Sequence, residues 1–74
     1  MAKHKGDIEI GRRAFEEVYR VFQNFEKAAS AMGCERKLFY AWNDGKTPGG
    51  HNLAKMHYYG CDVLYVLTGK RHKT

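Results

Sequence analysis

The chain has 74 residues, 43% of them hydrophobic and 28% charged, which suits one globular domain and leaves no room for a second. Two cysteines are too few for a disulfide scaffold. The longest strictly apolar run, Val63-Leu64-Tyr65-Val66-Leu67, falls far short of the ~20 residues of a membrane span, and no apolar stretch follows the N-terminal Met-Ala-Lys-His-Lys-Gly as a signal peptide requires. A large enzyme, a membrane protein and a secreted knot are thereby excluded, and a cytoplasmic protein with no membrane partner is expected. Thirteen Lys+Arg against eight Asp+Glu give a net charge of +5. Residues 6–69, however, contain eight basic and eight acidic residues, so the whole excess sits in Lys3, Lys5, Lys70, Arg71 and Lys73. A neutral body with basic ends suits a partner that is a polyanion, and equally a solvated surface.

Residues 1–6 read as a flexible basic arm, residues 7–69 as the domain, and residues 70–74 as a basic tail. Asp7 is a candidate cap for the first helix. Ala14, Phe15, Val18, Val21 and Phe22 recur with helical period and predict helix 1 over about 8–22, with Glu16 and Arg20 as an i,i+4 pair on its outer face. Gln23-Asn24 breaks the pattern, and Asn24 is a good N-cap. Phe25, Ala28, Ala29 and Met32 then form the apolar stripe of a short helix 2, which Gly33 ends in a left-handed conformation. Helix 3 is predicted over about 36–43. Leu38, Phe39 and Trp42 make its apolar side, and Arg36, Lys37, Tyr40 and Ala41 lie mostly on the other.

Asn43 to Gly50 is a loop by composition. Leu53, Met56 and Tyr59 mark helix 4 over about 50–59, ended by Gly60. Residues 62–68 form a short helix 5, capped by Asp62 and stopped by Gly69. The expected fold is therefore all-α, with five helices.

The informative segment runs from Asn24 to Pro48. Two short helices joined by a turn of about three residues, with glycine at its first position, have the arrangement of a helix-turn-helix, whose second helix enters the DNA major groove. Gly33 tolerates the positive φ that the tight turn needs. Phe39 and Trp42 lock helix 3 into a core, while Arg36, Lys37 and Tyr40 remain available to a ligand.

The run from Ala29 through Gly33-Cys34-Glu35 and Trp42-Asn43-Asp44-Gly45 to Pro48 resembles the Xre/Cro-type repressor helix-turn-helix. That pattern is Ala, three residues, Gly-Val-Ser, then a helix ending in a large apolar residue and Glu-x-Gly, then a basic loop and Pro. Gly60-Cys61-Asp62-Val63-Leu64-Tyr65-Val66-Leu67-Thr68-Gly69-Lys70-Arg71 is similar to the close of prophage-encoded members. The resemblance covers about residues 8–71 and implies a compact five-helix, lambda-repressor-like DNA-binding domain, with helices 2 and 3 as the helix-turn-helix. Three positions depart from the pattern: Phe25 stands where the family has Gln, Glu35 where it has Ser or Thr, and Asn43 where it has Glu.

The resemblance implies that Arg36, Lys37, Tyr40 and Ala41 are the base-facing positions, in agreement with their place on the non-core side of helix 3. Arg36 suits guanine O6 and N7, Lys37 a base or a phosphate, Tyr40 either, and Ala41 a thymine methyl. Asn24, Lys46, Thr47 and the amides around Gly49 and Gly50 are candidate phosphate contacts, since helix N-termini suit anions and glycine lets backbone approach closely. Tyr58, Tyr65 and Val66 are candidates for a dimer face. Cys34 and Cys61 read as small core residues; with His51 and His57 they lack the spacing of a zinc site. No catalytic arrangement, metal or cofactor is expected.

The reading that results is a transcriptional regulator, a small phage repressor or Cro-like protein that binds a palindromic operator in double-stranded DNA as a homodimer. Two other classes compete with it: a protein-interaction module on the same scaffold, such as an antirepressor or antitoxin, and an RNA-binding helical domain.

Overall fold

Apolar residues spaced three and four apart, punctuated by caps and glycines, fold into helices and nothing else. The computed structural model describes residues 5–71 and contains, among them, five helices and no strand: α1 (Lys5–Phe22), α2 (Phe25–Met32), α3 (Arg36–Asn43), α4 (Gly50–Tyr58) and α5 (Val63–Thr68). The predicted boundaries agree with these to within a residue for α2 to α5. The start of α1 differs. It begins at Lys5, so Lys5 and Gly6 belong to the helix rather than to an arm, and Asp7 lies inside the first turn instead of capping it. Nothing in Lys5-Gly6-Asp7 bars helical backbone, although glycine is a weak helix former. The rest of the expected arm, residues 1–4, lies outside the described residues, as does the tail beyond Arg71.

The connections follow from local chemistry. Gln23 takes the left-handed conformation at φ 58° and closes α1 through its N–H to the Tyr19 carbonyl. Asn24 is then extended, and its Oδ1 accepts from the Lys27 N–H at 3.0 Å, capping α2. Gly33 is left-handed at φ 69° and ends α2. Only Cys34 and Glu35 separate it from α3. Asp62 caps α5 by accepting from the Tyr65 N–H at 3.0 Å, and Gly69 ends it at φ 80°.

The core is one cluster. Ala14 and Val18 of α1, Ala28, Ala29 and Met32 of α2, Phe39 and Trp42 of α3, Met56 of α4, Cys61, and Val66 of α5 are all buried. α1 packs against α2, α3 and α5, and its most extensive contact is with α3. Gly11 makes that contact possible. A Cβ on Gly11 would meet the backbone carbonyl oxygens of Trp42 and Lys46 well inside van der Waals contact, so α1 lies directly on the end of α3. α4 is tied to the end of α2 by two hydrogen bonds: Lys55 Nζ donates to the Met32 carbonyl, and Tyr59 Oη to the Ala31 carbonyl at 3.0 Å.

Glu17 is fully buried although charged. Its carboxylate accepts two hydrogen bonds from Arg20, at 2.8 and 2.9 Å, one from the Asp62 N–H at 2.8 Å, and one from Arg71. Burial pushes this carboxyl's pKa up. The hydrogen bonds from Arg20, Arg71 and the Asp62 amide more than offset that and hold it at about 2. The predicted Glu16–Arg20 pair is therefore not the one that forms. Arg20 pairs with Glu17 while staying half in solvent, because a buried carboxylate without a partner is far more costly than a solvated one, and Glu16 accepts from the Tyr65 hydroxyl at 2.7 Å instead.

Two outcomes follow from this packing. An alanine in a helix interior ordinarily stabilises by about 1 kcal/mol relative to glycine. Gly11→Ala should instead lower the melting temperature sharply, because both obstacles are backbone atoms and not the ends of flexible side chains; a thermal melt checks this. Glu17 has its pKa depressed in the folded state, so its contribution is complete above its ordinary pKa near 4.5 and is lost as pH falls through about 2. Urea melts of the parent and of Glu17→Gln from pH 6 to pH 2 should therefore show a gap that shrinks as the pH falls.

Candidate nucleic-acid interface

α3 has two unlike sides. Phe39 and Trp42 are buried, their rings edge-to-face at 5.3 Å, and they anchor the helix. Arg36, Lys37 and Tyr40 are exposed, and Ala41 is half-buried beside them. Among the described residues no hydrogen bond or ion pair holds Arg36. Lys37 pairs with Glu35 at 3.2 Å, but both side chains are largely solvated, so the pair holds Lys37 only weakly. Glu35 occupies the N-cap position of α3 and makes no side-chain cap bond. The carboxylate near the helix N-terminus is favourable to the dipole, but it leaves the first N–H groups of α3 without a side-chain acceptor. Glu35, Lys37, Leu38, Ala41 and Lys46 line one shallow surface depression, so the outer flank of α3 and the loop after it form one continuous face.

That loop is held by its backbone. The Asp44, Gly45 and Lys46 N–H groups bond back to the last carbonyls of α3 at 3.0–3.1 Å, and Pro48 is buried. The side chains of Lys46 and Thr47 stay exposed. Gly49 is the N-cap of α4 at φ −77°, with no side chain to cap the helix. A Cβ at Gly49 or Gly50 would meet nothing within 4 Å, and neither residue has positive φ. The fold itself does not require glycine at either place.

Asn24, the remaining phosphate candidate, is exposed and already uses Oδ1 to cap α2; its amide NH2 points to no partner among the described residues. The residue next to it was the least legible in the sequence. Phe25 touches four other rings: Phe15 at 4.7 Å, Tyr19 at 5.4 Å, Tyr40 at 5.6 Å and Phe39 at 5.7 Å between centroids. Tyr40, read from the sequence as facing outward, is thus exposed on one side and packed on the other.

The candidate dimer face requires correction. Val66 is completely buried, and its carbonyl accepts from Arg13 Nε at 2.9 Å. Tyr65 is half-buried, with its hydroxyl on Glu16 and the Arg71 guanidinium 3.9 Å from its ring centre. In a helix as short as α5, whose first five residues are all apolar or aromatic, periodicity does not tell inside from outside. The exposed apolar residues of α5 are Leu64 and Leu67, and on α4 Tyr58 is 80% exposed.

The sequence places Arg71 in a basic tail. It instead folds back on the body, binding Glu17 and reaching Asp62 at 3.4 Å. The two cysteines are free, and burial pushes the Cys61 thiol up to about 11, so it stays protonated and unreactive. Among the described residues no group of three His, Cys, Asp or Glu is placed to hold a metal ion, and no helix is long and apolar enough to cross a membrane.

Compared with protein families, with curated proteins and with solved structures, the chain matches none.

The position of Arg71 has a direct consequence. Arg71→Ala should lower stability by roughly 1–3 kcal/mol, the range for a hydrogen bond to a buried charge, whereas an arm that only touches a ligand would leave stability unchanged. Chemical denaturation of the unliganded protein separates the two.

Proposed function

We propose that this protein is a sequence-specific DNA-binding regulator in which α2 and α3 form a helix-turn-helix and α3 enters the major groove. The observation that carries this reading is the division of α3. Phe39 and Trp42 bury one side completely, while Arg36, Lys37 and Tyr40 stand exposed on the first turns of the other, after a turn of Gly33, Cys34 and Glu35. A helix that reads bases needs this anchoring, with its N-terminal side chains free to reach base edges. The resemblance to repressor-type helix-turn-helix sequences supports the same reading.

In this reading Arg36 is the principal base contact, Lys37 and Ala41 add to it, and Lys46, Thr47, Asn24 and the backbone at Gly49 and Gly50 take phosphates. The open glycines support the last assignment, since nothing inside the fold asks for them and close approach of a ligand to the backbone does. One short helix reads too few base pairs for useful selectivity, so the protein acts as a homodimer on a palindromic site. Leu64 and Leu67 then replace Val66 in the dimer surface. A repressor or Cro-like role follows from occupancy of such a site.

A second reading has its own observation. Phe15, Tyr19 and Phe25 line an apolar surface depression with Glu16 at its edge. Exposed aromatic clusters of this kind favour protein partners, as expected of an interaction module.

Selection from a random duplex library separates the two readings. The DNA reading expects a palindromic consensus and an affinity that falls steeply with salt; the interaction reading expects no enrichment. On the selected duplex, Arg36→Ala should cost roughly 1–3 kcal/mol and relax preference at one base pair per half-site. It should leave binding to a scrambled duplex comparatively intact. An equal loss on both duplexes would make Arg36 a phosphate ligand.

A further inference from the structure

Tyr40 has its ring packed and its hydroxyl free. It is 47% exposed. Its ring lies 5.8 Å from Phe15 and 5.6 Å from Phe25, both tilted, and its Oη makes no hydrogen bond among the described residues. The two phenylalanines are stacked on each other at 4.7 Å, and Phe25 reaches buried Phe39 on the same helix as Tyr40. The ring of Tyr40 is thus wedged against a rigid aromatic stack, and a tyrosine loses little further entropy when its hydroxyl then binds.

The direction of the wedge matters. Tyr40 lies one turn beyond Arg36 on α3, and side chains of a helix lean toward its N-terminus. Tyr40 leans on Phe25, the first residue of α2, adjacent to the cap Asn24, and on Phe15 of α1. It therefore sits at the seam between α3 and the edge made by α1 and α2, not at the free tip of α3. When a helix fills the major groove, the preceding helix crosses the sugar–phosphate backbone, so a hydroxyl at this seam meets phosphate and not base edges.

We infer that Tyr40 donates its hydroxyl to a DNA phosphate oxygen and that Phe25 is the positioning residue which holds it there. The inference rests on the DNA-binding reading above and assigns Tyr40 a role different from base readout. It has a specific signature. A neutral hydroxyl displaces no counterion from DNA, so its loss weakens binding to every duplex without changing the salt slope, unlike the loss of a lysine or arginine.

The test uses the full chain and the duplex that the unmodified protein selects from a random library, with a scrambled duplex beside it. Affinities are measured by fluorescence anisotropy across a salt series for the parent, Tyr40→Phe, Phe25→Leu and the double variant. Tyr40→Phe keeps the ring and should keep the melting temperature. Its affinity should fall roughly threefold to tenfold on both duplexes, with the salt slope and the base preferences unchanged. Phe25→Leu should lose affinity in the parent background, and no further affinity when added to Tyr40→Phe. If Tyr40→Phe binds both duplexes as the parent does, the inference is wrong while DNA recognition stands. If it alters preference at one base pair, Tyr40 is a reader and the inference is equally wrong. Additive losses in the double variant overturn the role of Phe25 alone. Should Phe25→Leu fail to fold, Tyr40→Phe still decides the phosphate contact. If the parent selects no duplex at all, the DNA reading itself fails, and this inference with it.

Discussion

The close approach of α1 to the end of α3 is the constraint on which the other features of this protein depend. Gly11 removes the Cβ that would collide with the carbonyls of Trp42 and Lys46, and Ala14 and Val18 continue the same buried face of α1. The close contact fixes the orientation of α3 about its own axis. With Phe39 and Trp42 inside, Arg36, Lys37 and Tyr40 have no place but the surface. α1 also carries Glu17, whose carboxylate gathers Arg20, Arg71 and the start of α5. α1 therefore organises both the exposed face of α3 and the closure of the C-terminal end. A buried carboxylate met by this many donors tolerates little rearrangement, and that suits a surface presented as a rigid body.

The helices were legible because their ends carry strong local signals. Asn24, Gly33, Asp62 and Gly69 each do in the structure what their chemistry suggests, two as side-chain caps and two as left-handed stops. The start of α1 was not legible, since an arm of Lys and Gly gives no periodicity and helical backbone needs none. Gly11 was equally silent. A glycine inside a helical pattern reads as a mild defect, and only the neighbouring helix reveals what it admits. Glu17 falls in register with Ile10, Ala14 and Val21, so its burial was implicit in the period. Its partners were not: Arg71 is 54 residues away, and a basic residue near a chain end reads as a solvated tail.

For the candidate site the division is similar. The amphipathic character of α3 separates Phe39 and Trp42 from Arg36 and Lys37, and this much was readable from spacing alone. α5 offered no such contrast. With every residue from Val63 to Leu67 apolar or aromatic, nothing marked Val66 as buried and Leu64 as exposed. Phe25 was visible only as a departure from a resembling pattern. Its contacts with Phe15, Tyr19, Phe39 and Tyr40 join three helices, and long-range ring packing of this kind leaves no signature in a local stretch of sequence.

The central claim is that the exposed side of α3, held rigidly by α1, is the surface that meets DNA. Amide chemical shifts of the isotope-labelled protein, followed by NMR while a duplex is titrated in, test it most directly. The account predicts the largest changes along residues 35–41 and 46–50, with the buried amides around Glu17 and Val66 little moved. Changes confined to residues 15–25, or none at saturating duplex, would contradict it.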